Sequence, residues 1–284
     1  MLRRLLNRLE QAESLDRPGD RLQTAVQAAV RPQRLRDFLH GVWLGHPLHP
    51  VIVQLPVGAF MSTAILDLLP GQRRAATTLV AVGTAATLPA AAAGLTDWSS
   101  LAREQRRVGL VHAVGNTIAL ALYGGSLLAR LQDRQGRGRV LAYAGLSVAG
   151  ASAYLGGHLS YKEGAAVNHA VPELRRVPEG WQSVAELSAL PDGKPAVRHV
   201  GDVPVLLYRL GDEVTAFLER CAHQSGPLGE GDVVGSGADA CVVCPWHGSM
   251  FRLKDGLVVQ GPAASDQPVL RTRVVDGRVD VALP

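Results

Sequence analysis

Cys221-Ala222-His223-Gln224-Ser225-Gly226-Pro227-Leu228 and Cys244-Pro245-Trp246-His247-Gly248-Ser249-Met250-Phe251 decide how the C-terminal part of this 284-residue chain is read. Each stretch supplies one Cys and one His, and the 20 residues Gln224–Val243 separate the two pairs. Thiolate and imidazole are transition-metal donors, so two loops each carrying both read as a metal centre. Zinc sites of the Cys2His2 type pair Cys with Cys and His with His over short spacers, whereas here each half is mixed. A two-iron cluster needs four ligand positions: thiolates suit the iron that stays ferric, and two imidazoles can terminate the iron that is reduced.

Around these loops the sequence reads as short strands: Ala196–Val200, Val203–Arg209, Val214–Leu218, Cys241–Val243, Val269–Val275 and Arg278–Ala282. Gly-Asp and Asp-Gly pairs punctuate them as turn signals. Residues 171–284 are therefore expected to form a small all-β domain.

The run Cys244-Pro-Trp-His247-Gly-Ser-Met-Phe251, then Lys254-Asp-Gly256 and Gly261-Pro-Ala263, resembles the second ligand loop of the Rieske [2Fe–2S] family. His223-Gln-Ser-Gly-Pro-Leu228 is similar to the first. The resemblance covers Val177 to the C-terminus and implies a [2Fe–2S] cluster held by Cys221, His223, Cys244 and His247. Two departures stand out. Family members of the cytochrome bc type carry a further Cys in each loop, joined as a disulfide; here those places hold Ser225 or its neighbours and Trp246. They also place a Tyr hydroxyl near a cluster ligand where this chain has Phe251, leaving Ser249 as the candidate donor to the cluster. Fewer hydrogen bonds to sulfur stabilise the reduced cluster less, so a low potential is expected, about −150 to 0 mV. Cys241, three residues before Cys244, reads as a small buried residue of a strand.

Upstream lie four apolar stretches of membrane-spanning length: Val51–Leu69, Ala75–Leu95, Val108–Ala129 and Val140–Leu159. None shows the charged face of a soluble helix. Apolar residues make up 47% of the chain but aromatics only 5%, a small-residue composition suited to close helix packing in lipid. Short connections imply an all-α up-down-up-down transmembrane bundle over residues 46–170, with both chain ends on one face. In the tail, residues 1–45, Leu2, Leu5, Leu6, Leu9, Leu22, Val26, Ala29 and Val30 recur at helical spacing. Amphipathic helices on a membrane surface and a loosely ordered charged tail are both open readings there. The tail holds no apolar core of a secretory signal.

His46, His49, Asp97, His112 and His158 fall at one membrane face by this topology, with His46 and His49 at i and i+3 on one side of a helix start. They are either hydrogen-bonding clamps or a second cofactor site, for haem b or another metal. His46-Pro-Leu-His49-Pro, Gly94-Leu-Thr-Asp-Trp98 and Gly156-Gly-His-Leu-Ser-Tyr161 resemble a bacterial family of four-helix membrane domains without established chemistry. His40, His169 and His199 read as surface or structural residues, with a reservation for His169.

The net charge of +4 comes mostly from Arg near the spans, with no aromatic-interleaved patch, which excludes a nucleic-acid partner. Nine basic residues flank the spans on the tail face (Arg31, Arg34, Arg36, Arg103, Arg106, Arg107, Lys162, Arg175, Arg176) against six opposite (Arg73, Arg74, Arg130, Arg134, Arg137, Arg139). That bias points to a multi-pass protein of the bacterial inner membrane with a cytoplasmic cluster. The expected function is electron transfer with a redox protein, and with a haem, metal or quinone at the membrane face. Redox sensing and feeding electrons to an oxygenase are the alternatives. The chain is not read as a Rieske oxygenase itself, because the 37 residues after His247 contain no His for a mononuclear iron site.

Overall fold

The computed structural model describes residues 2–284, with side chains from Arg4 onward; those of Leu2 and Arg3, at the head of the expected tail stripe, lie outside the described residues. The helices are α1 (Leu2–Glu10), α2 (Asp16–Ala29), α3 (Gln33–His40), α4 (Leu48–Ile52), α5 (Gln54–Leu66), α6 (Arg73–Trp98), α7 (Arg103–Leu131), α8 (Gln135–Tyr161) and α9 (Val171–Leu174). The chain divides into two compact units. One comprises the chain up to Pro32 with Leu48–Ala165, and the other comprises Gln33–Pro47 with Ala166–Pro284.

In the helical unit, α4 with α5, then α6, α7 and α8 are each long and apolar enough to cross a membrane. One aromatic stack ties all four together. Phe60 of α5 lies over Gly83 of α6, where a Cβ would stand 2.5 Å from the ring. Tyr123 of α7 lies over Gly145 of α8, where a Cβ would stand 3.0 Å away. The two rings stack at 3.5 Å between centroids, so small residues on two helices admit large ones from the others. Outward-facing Leu88, Leu128 and Val140 are each more than 60% exposed, a surface that suits lipid rather than water.

The tail helices α1 and α2 are ordered as part of this unit. Arg107 donates to Asp16 at 2.6 and 2.8 Å, Arg106 donates to Asp20 at 2.9 Å, and Gln23 donates to the Ser99 carbonyl at 2.7 Å. These acid partners explain why α7 begins at Arg103 rather than at Val108, where its uncharged stretch starts.

The second unit is all-β apart from its short helices. Its strands are β1 (Gln182–Glu186), β2 (Pro195–Val200), β3 (Val203–Leu210), β4 (Glu213–Leu218), β5 (Asp232–Val234), β6 (Cys241–Val243), β7 (Met250–Arg252), β8 (Val258–Gln260), β9 (Val269–Val275) and β10 (Arg278–Ala282). They form a six-stranded sheet in the order β1-β10-β9-β4-β3-β2 and a four-stranded sheet in the order β5-β6-β7-β8, with antiparallel pairing throughout. The two-residue periodicity of β3 divides its side chains between two cores. Val203, Val205 and Leu207 join Leu270, Val279 and Val281 on one side, while Leu206 and Tyr208 join Phe217, Val242 and Phe251 on the other. Asp276 and Gly277 both take positive φ (48° and 75°), the backbone a tight hairpin turn between β9 and β10 requires.

Candidate metal centre

The first Cys-His pair lies in the loop after β4, and the second lies between β6 and β7. Both loops are fixed by their own backbone. Cys221 N–H donates to the Gly226 carbonyl at 2.9 Å, and Ser225 N–H donates to the Cys221 carbonyl at 2.8 Å. In the second loop Cys244 N–H donates to the Ser249 carbonyl at 2.8 Å, and Gly248 N–H returns to the Cys244 carbonyl at 3.0 Å. Gln267 locks the first loop from behind. Its Oε1 accepts from Ala222 N–H at 2.9 Å, and its Nε2 donates to the Leu218 and Arg220 carbonyls at 2.6 Å each.

The two loops abut. A Cβ at Gly226 would stand 2.8 Å from Cys244 Sγ and 3.2 Å from the Trp246 ring, so only glycine allows this approach. Cys221 and Cys244 are buried, unbridged and hydrogen-bonded to each other. The His223 and His247 rings lie 5.0 Å apart, nearly perpendicular. Backbone N–H groups of His223 and Gln224 point at Cys221, and those of Trp246 and His247 point at Cys244. Cys221, aided by the N–H groups of Trp246 and His247, pulls the Cys244 thiol down, while Cys244 and burial push the Cys221 thiol up against the pull of its own N–H groups. His223 is pushed down to about 3, by burial first and then by His247, His40 and His169, which keeps its imidazole neutral and able to coordinate. Two thiols in contact, two neutral imidazoles and four N–H groups aimed at sulfur fit a [2Fe–2S] cluster.

Ser249 is fully buried, and its Oγ accepts from Ala263 N–H at 2.9 Å. Phe251 is buried in the core behind the ligand loops. Cys241 is buried on β6, with Sγ 3.4 Å from the Asp239 carbonyl, and burial pushes its thiol up.

The expected ring of membrane-face residues is not one site. His46 precedes the helix that begins at Leu48, so it shares no helical face with His49, and its Nδ1 lies 3.0 Å from the Pro47 carbonyl. The cause is local: a residue followed by proline is disfavoured in helical backbone. His158 lies 2.9 Å from Glu10 and 3.6 Å from Glu163, with Lys162 bonded to the same carboxylates. That ammonium already supplies the cation there. His49 and His112 do share a neighbourhood. His49 Nδ1 meets the Ala90 carbonyl at 2.8 Å and His112 Nδ1 meets the Ser152 carbonyl at 2.7 Å, while Asn116 contacts His112 Nε2 at 3.1 Å. Asp97 is the penultimate residue of α6 and also has an interaction partner.

His40 takes the structural of its two readings: it is buried, 1% exposed, and packs on Gly261. His169 N–H donates to the Ala222 carbonyl at 2.9 Å, so it adjoins the first ligand loop.

Residues 180–273 match the Rieske [2Fe-2S] domain, and residues 45–169 match the predicted membrane protein family DUF2231. Over 101 residues the chain is 32% identical to the anthranilate 1,2-dioxygenase ferredoxin subunit of Burkholderia cepacia, covering 36% of this chain and 90% of that protein. The chain belongs to the Rieske [2Fe–2S] family. Its Rieske domain is fused to a DUF2231 domain. The same region is 31% identical over 103 residues to ferredoxin CarAc of Metapseudomonas resinovorans, covering 36% of this chain and 92% of that one. Among solved structures, the ferredoxin of carbazole 1,9a-dioxygenase from Nocardioides aromaticivorans is 25% identical, over 37% of this chain and all of that chain, at a TM-score of 0.34. The relationship to ferredoxin subunits of oxygenase systems supports an electron-transfer role for the Rieske domain.

Proposed function

We propose that this protein is a membrane-anchored electron carrier, whose Rieske domain passes single electrons between soluble redox proteins through a [2Fe–2S] cluster held by Cys221, His223, Cys244 and His247. The observation that carries this reading is the convergence of two buried thiols and two imidazoles from two mutually braced loops. The cluster supplies one-electron chemistry. The chain's own residues hold the thiolates by backbone N–H groups, keep water from the sulfurs, and leave His247 exposed beside Pro245 and Trp246. An oxygenase component is the favoured acceptor class, because the Burkholderia relative is by name the ferredoxin subunit of a dioxygenase. Stopped-flow mixing of purified oxidised protein with NADH and a soluble cell fraction tests the role. Cluster bleaching within seconds supports it, and no bleaching over minutes contradicts it.

Anchoring rests on the four long apolar helices and the DUF2231 match. The excess of Arg and Lys on the tail face favours the inner membrane with a cytoplasmic Rieske domain. A reporter fused after Pro284 reads this directly: activity of a cytoplasm-only reporter is expected, and activity of a periplasm-only reporter overturns it.

Within the same reading, His49 and His112 are the pair to receive a haem iron or another imidazole-binding metal. Each fixes Nδ1 on a carbonyl, the tether that presents Nε2 to a metal, and Asn116 would release His112 Nε2 on binding. A reduced-minus-oxidised spectrum without a haem band, with metal analysis giving cluster iron alone, removes this part.

A further inference from the structure

The matched Rieske region spans residues 180–273, yet the unit that contains it also takes up Gln33–Pro47, a segment that precedes the first long apolar helix. This segment does not simply fill the surface. It meets Gly261-Pro262-Ala263, the loop that also touches the second ligand loop through Ala263 N–H and Ser249 Oγ. Asp37 Oδ1 accepts from Gly261 N–H at 2.9 Å, and Gln33 Nε2 donates to the same carboxylate oxygen at 2.8 Å, which holds it in place. His40 packs on the bare Cα of Gly261, where a Cβ would stand 2.9 Å from its Cδ2. Val42 packs on the apolar core that contains Cys221, Cys244 and Phe251.

We propose that Asp37 and His40 are positioning residues for the iron–sulfur cluster, clamping the Gly261–Ala263 loop from a segment outside the Rieske sequence match. Asp37 fixes the loop by a charge-assisted hydrogen bond, and His40 sets its distance by contact. The loop in turn holds the Ser249 hydroxyl, so a shift at Gly261 reaches the second ligand loop through one hydrogen bond. This inference rests on the cluster reading above.

The test uses the purified full chain in detergent, with three readouts: midpoint potential, EPR line shape and rate of cluster loss in air. Asp37→Ala is expected to lose its cluster roughly tenfold faster and to shift both midpoint and line shape, as loss of an outer-shell partner does at metal sites. Asp37→Asn, whose amide oxygen can accept the same bond, restores all three. Gly261→Ala alone damages the site, and adding His40→Ala relieves it, because the two changes meet at one contact. A fall in thermal stability with unchanged midpoint and line shape in Asp37→Ala overturns the proposal, and so does Gly261→Ala behaving like wild type. A wild-type chain with no reducible cluster defeats the cluster reading itself, so the two failures are distinguishable.

Discussion

Arg130 of α7 and Asp67 at the end of α5 form a two-point ion pair with neither side chain open to solvent: Nη1 lies 2.9 Å from Oδ1, and Nη2 bonds Oδ2. Arg130 Nε also donates to Ser126 Oγ at 3.1 Å, and that hydroxyl donates to the Gly138 carbonyl of α8 at 2.6 Å. A Cβ at Gly138 would stand 2.6 Å from the Arg130 stem. Charge, hydroxyl and glycine thus join three long helices at one end of the helical unit. Removing Asp67 strands the Arg130 charge in a desolvated place, whereas removing Arg130 leaves Asp67 with Arg139 at 3.7 Å. Asp67→Ala is expected to destabilise this unit by about 3–5 kcal/mol, Arg130→Ala by less, and a paired replacement of Asp67 and Arg130 by Leu by less than Asp67→Ala. Thermal unfolding followed by helical circular dichroism, with cluster EPR as an internal control, measures it.

At the tail the charges are nearer solvent, and their effect depends on pH. The Arg107 guanidinium beside Asp16 holds that carboxyl below its ordinary value of 3.8. The folded state therefore binds this proton less readily than the unfolded chain does. Its stabilisation is complete above the ordinary value and fades as pH falls through the lowered one. The thermal-midpoint gap between wild type and Asp16→Asn should stay constant from neutral pH down to about 5 and close in more acid solution. A gap that widened on acidification would contradict the assignment.

The cluster potential follows from what lies near the sulfurs. With Phe251 in place of a hydroxyl-bearing ring, Ser249 is the remaining side-chain hydroxyl of the second loop. A redox titration should give a midpoint at the low end of the family range, about −150 to 0 mV. Ser249→Ala is expected to move it lower still, the result that a hydroxyl donating to the cluster requires. A midpoint well above about +150 mV would sink this view.

Cys241 offers a control. It pairs with Arg252 across β6 and β7, and its Sγ sits by the Asp239 carbonyl. Cys241→Ala should leave the optical and EPR spectra unchanged, whereas Cys244→Ala should abolish them.

What could be read from the sequence was what chemistry restricts locally. Cys221, His223, Cys244 and His247 stand out because few other residue types provide thiolate and imidazole donors. The four long helices stand out because charge is missing from some twenty consecutive residues each. Contacts made over long chain distances were not legible. Asp37 and Gly261 are 224 residues apart, and nothing near either announces the other. His40 therefore stayed open between a surface and a structural residue. Asp16 and Arg107 are 91 apart, and without their contact the tail could not be told from a loose one. The placing of His46 beside His49 had a local remedy: Pro47 signals that the helix starts after it.

An electron-carrying role for the Rieske domain depends on the four cluster ligands. An EPR-monitored redox titration of the purified full chain, alongside single Ala variants at Cys221, His223, Cys244 and His247, tests them most directly. One reducible [2Fe–2S] signal per chain is expected at low potential, lost in each of the four variants and retained in Cys241→Ala. A wild-type spectrum without that signal, or a signal that survives loss of any one of the four, would contradict it.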